Sequence, residues 1–175
     1  LLKGRDMDIR LGNGYDVHAF CPGNQVWLCG VSVPHDKGLL GHSDADVLLH
    51  AIIDALLGAA GKGDIGHHFP ETDEQFKNID SRELLRKVWS MLKKEGYTIG
   101  NIDATIVAEN PKMAPYLEKM IENIAYDCQT TIQHVNVKAT TSETMGFVGR
   151  KEGMAAMASC LIEKLERKPA PISFT

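Results

Sequence analysis

Nothing in the sequence is long and apolar enough to span a membrane: no run approaches the roughly 18 residues that a crossing helix needs, and the opening residues form no hydrophobic leader. A soluble, cytoplasmic chain with no membrane partner is the expectation. Positive charge is not in excess either. The formal net charge is −4 with no basic stripe, which argues against nucleic acid as a partner but leaves individual Lys and Arg residues to hold phosphates. Cysteine is scarce, and Cys21, Cys29, Cys128 and Cys160 show neither C-x-x-C spacing nor a dense disulfide pattern. Reduced thiols are expected, with a zinc site using Cys21 or Cys29 only weakly signalled. No P-loop is present, because residues 38–42 and 61–73 lack its spacing and its Gly-Lys-Ser/Thr ending. Linkers, repeats and low-complexity tracts are also missing, so the 175 residues suit one domain. Residues 1–7 read as an expression remnant or the tail of something upstream, residues 8–167 as the domain, and residues 168–175 as a C-terminal tail.

What is present is a set of ion-binding side chains. The run Gly14-Tyr15-Asp16-Val17-His18 sets a carboxylate and an imidazole two residues apart, on one face of an extended segment. A second imidazole, His50, follows Gly41-His42-Ser43-Asp44-Ala45-Asp46. One carboxylate and two imidazoles suit zinc, and three protein ligands leave a fourth position for a substrate oxygen. Asp46, His50 and Asp54 recur at i, i+4 and i+8 and make a polar stripe on an otherwise apolar helix. Asp46 or Asp54 is expected to orient His50, since polar groups on a buried helix must pair. Asp44 and Asp46 also read as acids favoured by the dipole of a helix's first turn.

Periodicity outlines the fold. Strands are expected at 9–18, 26–31, 101–106 and 134–139, the first two forming a hairpin-like pair. Helices are expected from 43 or 44 to 58, from the capping box Asp80-Ser81-Arg82-Glu83 to Gly96, over 114–128, and over 151–167. This is an α/β sandwich (α+β), one sheet of about four main strands covered on one face by helices. Between the first two helices, residues 61–73 read as a functional loop, in which neighbouring His67 and His68 point apart and do not form a metal site.

Lys138-Ala139-Thr140-Thr141-Ser142-Glu143 ends the last strand with a cation, three hydroxyls and a carboxylate. Hydroxyls and backbone N–H groups donate to phosphoryl oxygens, and Glu143 suits a hard divalent ion on a diphosphate. Arg150, after Gly146-Phe147-Val148-Gly149, reads as an anion contact or a turn anchor at a subunit contact.

Five motifs, Gly-Tyr-Asp-Val-His at 14–18, His-Ser-Asp-Ala-Asp-Val at 42–47, Asp-Ile-Gly at 64–66, Ala-Glu-Asn-Pro-Lys-Met at 108–113 and Lys-Ala-Thr-Thr-Ser-Glu at 138–143, stand in the order and spacing of the 2-C-methyl-D-erythritol 2,4-cyclodiphosphate synthase family. The resemblance spans about residues 8–165. It implies cyclisation of 4-diphosphocytidyl-2-C-methyl-D-erythritol 2-phosphate with release of CMP, a phosphorus–oxygen lyase reaction of the non-mevalonate isoprenoid route. It implies zinc on Asp16, His18 and His50, and magnesium or manganese on Glu143. His42 and Thr141 would stabilise the transition state, while Ser43, Asp64, Ile65, Gly66, Phe69 and Asp73 would contact the methylerythritol part. The stretch Ala108 to Ala114, with Asn110, Pro111, Lys112 and Met113, would form the cytidine pocket, its main-chain groups reading the base and Lys112 lying near the phosphates, and Thr140, Thr141 and Ser142 would be further substrate contacts. A homotrimer with active sites between subunits is implied, and so is a central cavity for an isoprenoid diphosphate, lined by Tyr15, Phe147 and Arg150. Glu71 departs from the Phe-Pro-Asp-Thr-Asp of many relatives, His67 and His68 map to no motif position, and residues 8–14 resemble the junction to a fused cytidylyltransferase. Rival classes are a metal-dependent phosphohydrolase and a non-catalytic zinc or nucleotide-binding module.

Overall fold

The computed structural model describes residues 5–41, 43–70, 72, 76 and 79–167. The first strand, β1 (Arg5–Pro22), is followed by β2 (Gln25–Leu28), β3 (Val31–Pro34) and β4 (Lys37–Leu39). Then come α1 (Val47–Ala59), the single turn α2 (Ile65–His68), α3 (Ser81–Lys94), β5 (Thr98–Val107), α4 (Leu117–Asp127), β6 (Val135–Thr140), the single turn α5 (Gly146–Gly149) and β7 (Gly153–Arg167). Five strands form one sheet in the order β4-β1-β7-β5-β6, parallel only between β5 and β6, and β2 and β3 form a separate two-stranded ribbon. The mixed α/β class expected from the sequence is observed, with one more strand in the sheet.

Two expectations are corrected. Residues 151–167 are not a helix: β7 pairs antiparallel with β1 along one edge and with β5 along the other. Alanine and methionine favour helix, and two ladders of backbone hydrogen bonds override that preference. Met154, Ala156, Ala158, Cys160 and Ile162, every second residue, face the core, while Met157 on the other face is exposed. Nor does β1 pair with the strand after it. Cys29 and Gly30 both take positive φ, 52° and 72°, and turn β2 back onto β3, so that β1 pairs with β4 instead.

The core lies between the sheet and the helices. Helix α1 is buried almost all round, through Val47, Leu48, Leu49, Ala51, Ile52, Ile53, Ala55, Leu56, Leu57 and Ala59. It crosses β1 at very short range because Gly12 and Gly14 present no side chain: a Cβ on Gly14 would stand 1.8 Å from the Ala51 carbonyl oxygen, and one on Gly12 1.9 Å from that of Ala55. The next helix, α3, packs on α1 and α4, and α4 packs on β6. Alternation in β1 puts Gly12, Gly14, Asp16 and His18 on the helix side, leaving Ile9, Leu11, Tyr15 and Val17 exposed on the other. Among the described residues, no helix is long and apolar enough to cross a membrane.

Candidate active site

Because α1 lies so close to β1, His50, the residue before Ala51 in the packing seam, meets Asp16 and His18 in the C-terminal half of the strand. His50 Nδ1 stands 3.0 Å from Asp16 Oδ2, His18 Nε2 stands 3.0 Å from the same oxygen, and the two ring nitrogens are 3.2 Å apart. Four-coordinate zinc at about 2.0–2.1 Å from each ligand would separate ligand atoms by about 3.3–3.4 Å, so this triangle needs little adjustment to hold such an ion. Asp16, His18 and His50 are the group of metal-capable side chains that the fold draws together among the described residues.

The donor chemistry fits a cation as well. His18 Nδ1 lies 2.7 Å from the Leu40 carbonyl, an acceptor only, so Nδ1 carries the proton and, in the neutral ring, Nε2 offers a lone pair to the cluster. Three electron-rich atoms this close repel unless a proton or a cation sits among them. Burial raises the Asp16 carboxyl, but hydrogen bonds and charge from His18 and His50 outweigh it and hold Asp16 well below the usual carboxylate range. Burial lowers the His18 imidazole, yet the bonds to Asp16 and the Leu40 carbonyl leave it raised.

Asp46 and Asp54, the carboxylates expected to orient His50, have other duties. Asp46 is the N-cap of α1: it accepts the Leu49 N–H at 3.0 Å and, in a very short bond, the Cys29 N–H. Burial pushes its carboxyl up to about 7. Asp54 accepts the Ile65 N–H at 2.7 Å and so docks α2 against α1. Asp44 lies outside the helix that was expected to contain it and bonds Ser81 instead. His50 Nε2 faces Ser81 Oγ at 3.0 Å and Ser43 Oγ at 3.1 Å. Ser81 is thus a site residue that sequence patterning assigned to a capping box. In that box Asp80 caps the Arg82 N–H at 2.8 Å, whereas Glu83 pairs with Lys87 at 2.9 Å.

A cavity of about 160 Å³ opens over the cluster, lined among others by Ser43, Ile65, Gly66 and Phe69. Four residues assigned to the methylerythritol part therefore share a wall with the candidate ligands. Asp64 caps α2 by accepting the His67 N–H at 2.9 Å, and His68 bonds the Lys62 carbonyl at 2.8 Å. His42, Glu71 and Asp73 lie outside the described residues.

The second group of expected residues sits elsewhere in the chain. The Ala108 N–H bonds the Thr140 carbonyl at 3.0 Å, and one oxygen of Glu109 accepts the Ser142 N–H at 3.0 Å, the Ser142 hydroxyl at 3.1 Å and the Thr144 N–H at 3.1 Å. These bonds keep Glu109 below the ordinary carboxylate range and tie residues 108–114 to residues 140–144. Glu109 was not singled out from the sequence; its position inside the Ala-Glu-Asn-Pro motif was the available signal. Met113 is buried, and Asn110, Pro111 and Lys112 line a separate cavity of about 450 Å³ with Phe20, Lys37 and Lys151. It shares no lining residue with the cavity over Asp16. Glu143 is exposed, receives the Thr141 hydroxyl at 3.0 Å, and does not join the Asp16 cluster within this one chain. Two cations of the phosphate motifs are already paired. Lys138 bonds both oxygens of Asp103 at 2.6 Å, and Arg150 bonds Glu152 at 2.7 Å.

Fold and cluster together define a mixed α/β protein with a candidate mononuclear metal site where a helix crosses a sheet strand. Within that class the chain belongs to the YgbB family, which matches residues 9–163. A Methylobacillus flagellatus protein named 2-C-methyl-D-erythritol 2,4-cyclodiphosphate synthase is 62% identical over 90% of this chain and 99% of its own length. Among solved structures, the bifunctional IspDF of Campylobacter jejuni is similar with a TM-score of 0.87 and 43% identity over 91% of this chain. This chain spans 43% of that fused protein. A CDP complex of IspF from Plasmodium falciparum has a TM-score of 0.78 and 32% identity, covering 89% of this chain and 96% of its own.

Proposed function

We propose that the chain cyclises 4-diphosphocytidyl-2-C-methyl-D-erythritol 2-phosphate to the 2,4-cyclodiphosphate and releases CMP. The observation that carries this reading is the triangle of donor atoms on Asp16, His18 and His50, 3.0–3.2 Å on a side, in a chain whose relative at 62% identity bears the synthase name. The substrate supplies its own nucleophile, since its 2-phosphate attacks the β-phosphorus of its diphosphate, so the protein needs no serine or cysteine nucleophile. The barrier lies in folding one anion onto another and in holding the attacking and leaving oxygens in line. Bound zinc and a bound magnesium or manganese would supply Lewis-acid neutralisation of that charge. Asp16, His18 and His50 are the residues that would hold the first, and Glu143 the second.

The protein's own groups do the rest. Ser43, Ile65, Gly66 and Phe69 wall the cavity beside the cluster, and Asp64 and Asp73 are assigned with them to the methylerythritol part. Residues 108–114 take the cytidine, and Thr140, Thr141 and Ser142 turn to the phosphates the donors that bond the Thr141 carbonyl, Glu143 and Glu109 in the free chain. His42 and Thr141 donate hydrogen bonds that strengthen in the transition state.

The same reading makes the active form a homotrimer in the cytoplasm. Its support is twofold: the two groups of site residues line separate cavities in one chain, and Ile9, Leu11, Tyr15, Val17 and Met157 expose an apolar strip on the helix-free face of β1 and β7. Active sites then combine residues of adjacent copies, and Tyr15, Phe147 and Arg150 border a central cavity for an isoprenoid diphosphate. The test is incubation with the cytidylated substrate and magnesium, with and without a zinc chelator. Cyclic diphosphate and CMP, both lost on chelation, are expected. Linear phosphate products would make the protein a hydrolase, and no turnover at all would make it a binding module.

A further inference from the structure

His50 reaches the cluster through Nδ1, and the state of its other ring nitrogen decides whether Nδ1 is a lone pair or an N–H. Nε2 faces two hydroxyls, Ser81 Oγ at 3.0 Å and Ser43 Oγ at 3.1 Å. A hydroxyl both donates and accepts, so neither fixes the ring by itself. Asp44 removes the ambiguity at Ser81. Its Oδ2 accepts the Ser81 N–H at 2.9 Å, and its Oδ1 takes the Ser81 hydroxyl proton in a short bond. Oδ1 also accepts the Asp46 N–H at 3.2 Å, so the carboxylate is anchored from the α1 side as well.

The sequence explains why this carboxylate is held so firmly. Ser81 is the first residue of α3 and fully buried, and its N–H is one of the donors that a helix start leaves without an intrahelical acceptor. Asp44 satisfies that N–H and the neighbouring hydroxyl together. With its single proton committed to Asp44, Ser81 Oγ turns only lone pairs toward His50. A bare Nε2 at 3.0 Å would set lone pair against lone pair, whereas a protonated Nε2 donates a good hydrogen bond.

We propose that Asp44 and Ser81 form a proton-ordering relay that fixes His50 as its Nε2–H tautomer, so that Nδ1 is presented to the metal ion as a lone pair. Both are positioning residues acting through His50, and Ser43, sharing the same Nε2–H, keeps its own hydroxyl proton to give to the cavity. The inference rests on the metal-site reading above and deepens it: Asp16 and His18 supply charge and one lone pair, while the relay sets the second.

The experiment combines zinc competition titration with imidazole nitrogen NMR on the wild type, Ser81→Ala and Ser81→Thr. In the metal-free wild type, at a pH where the protonated His18 ring gives its Nε2–H to Asp16 and leaves His50 Nδ1 free to accept, His50 is expected to show protonated Nε2 and unprotonated Nδ1. Ser81→Ala is expected to show mixed His50 tautomers with unchanged His18 signals and far-UV circular dichroism, and zinc affinity lower by roughly 10–100-fold. Ser81→Thr, which keeps the hydroxyl, should restore most of that affinity. A wild-type His50 with bare Nε2, or a Ser81→Ala protein that keeps both wild-type affinity and the Nε2–H form, would overturn the relay. Should the wild type bind no zinc, the metal-site reading falls, while the metal-free tautomer still decides the relay. Should Ser81→Ala unfold, the wild-type tautomer and the Ser81→Thr affinity decide it.

Discussion

Replacing Gly14 by alanine should damage the fold and the candidate metal site together, because one packing contact sets both. The added Cβ would lie 1.8 Å from the Ala51 carbonyl oxygen, 2.8 Å from its carbon and 2.9 Å from the Ala55 nitrogen. These are backbone atoms of a helix, with no side-chain rotation to relieve them. An ordinary carbon–oxygen contact needs about 3.2–3.4 Å, so α1 and β1 must part by roughly 1.5 Å. Gly14 precedes Asp16 by two residues and Ala51 follows His50 by one, so the same parting acts on the 3.0 Å separation of Asp16 Oδ2 and His50 Nδ1. The full parting would set those two atoms about 4.5 Å apart, beyond the roughly 4.2 Å that two bonds to one zinc ion can span. The cost in stability should be at least the 1–3 kcal/mol typical of overpacked cores. Urea unfolding of the metal-free protein reads the first effect, and zinc competition, where at least a tenfold loss is expected, reads the second. Gly58→Ala is the control, on the same helix: its Cβ would meet only the Asn13 carbonyl oxygen at 3.8 Å, and it should be neutral or stabilise by up to about 1 kcal/mol. A Gly14→Ala protein with wild-type unfolding midpoint and zinc affinity would refute the claim that this seam builds the site.

His50→Ala should abolish cyclisation, measured as CMP release, while far-UV circular dichroism stays native; a variant that retains both zinc and full rate would remove the cluster from the reaction. Protons compete with the ion at His18, whose imidazole is raised above its usual value, so the zinc-induced rise in melting temperature should grow as pH increases from about 6 to 8. In the metal-free protein the sign reverses: the His18–Asp16 pair stabilises below about pH 6.5 and that contribution is lost as pH rises through the raised His18 value. A zinc increment that is flat across this window would contradict the protonation scheme. Asp127→Ala should cost about 3 kcal/mol in urea unfolding, because its fully buried carboxylate holds Arg82 at 2.6 and 3.0 Å and Arg86 at 3.0 Å, yet both arginines keep some solvent. A loss below about 1 kcal/mol would show that the arginines are satisfied by water alone.

The sequence made half of the candidate site legible because its logic there is local. Asp16 and His18 alternate within one strand, and the stripe of His50 and Asp54 interrupts an apolar helix at its own period, so both could be found without knowing the fold. Which helix position meets which strand position could not, since that depends on Gly12 and Gly14 facing Ala51 and Ala55 across the packing seam. Ser81 was hidden for the same reason: it stands 31 residues from His50 in the chain, and its local signature, an Asp-Ser-Arg-Glu helix start, was explained by capping alone. The last strand was misread because alanine and methionine, which favour helix, fill three of the five core-facing positions, Met154, Ala156 and Ala158. Small side chains are needed there, where α1 lies across β7, and the choice of strand comes from β1 and β5 on either side. Lys138, whose local pattern suggested phosphate, pairs in the free chain with Asp103 of the neighbouring strand, a partner that only the strand register brings to it.

These particulars share a physical logic in which close approach and polar satisfaction are solved at once. Glycines in β1 let α1 descend until His50 meets Asp16, and the start of α1, brought equally near, must satisfy its own free N–H groups. Asp46 does so from its capping position, and by also binding the Cys29 N–H it fastens the β2–β3 ribbon to the helix start. Asn123 of α4 donates to the Cys29 carbonyl at 2.7 Å, joining a third element to the same point. Asp44, two residues earlier, closes the start of α3 through Ser81, and Ser81 closes on His50. The segment 44–50 is therefore a single polar junction between two helix starts, a ribbon and a strand, and its rigidity follows from acceptors that are each bound to backbone donors. A ligand triangle held by such a junction loses little conformational freedom when an ion arrives, which is the condition for tight binding from only three protein donors.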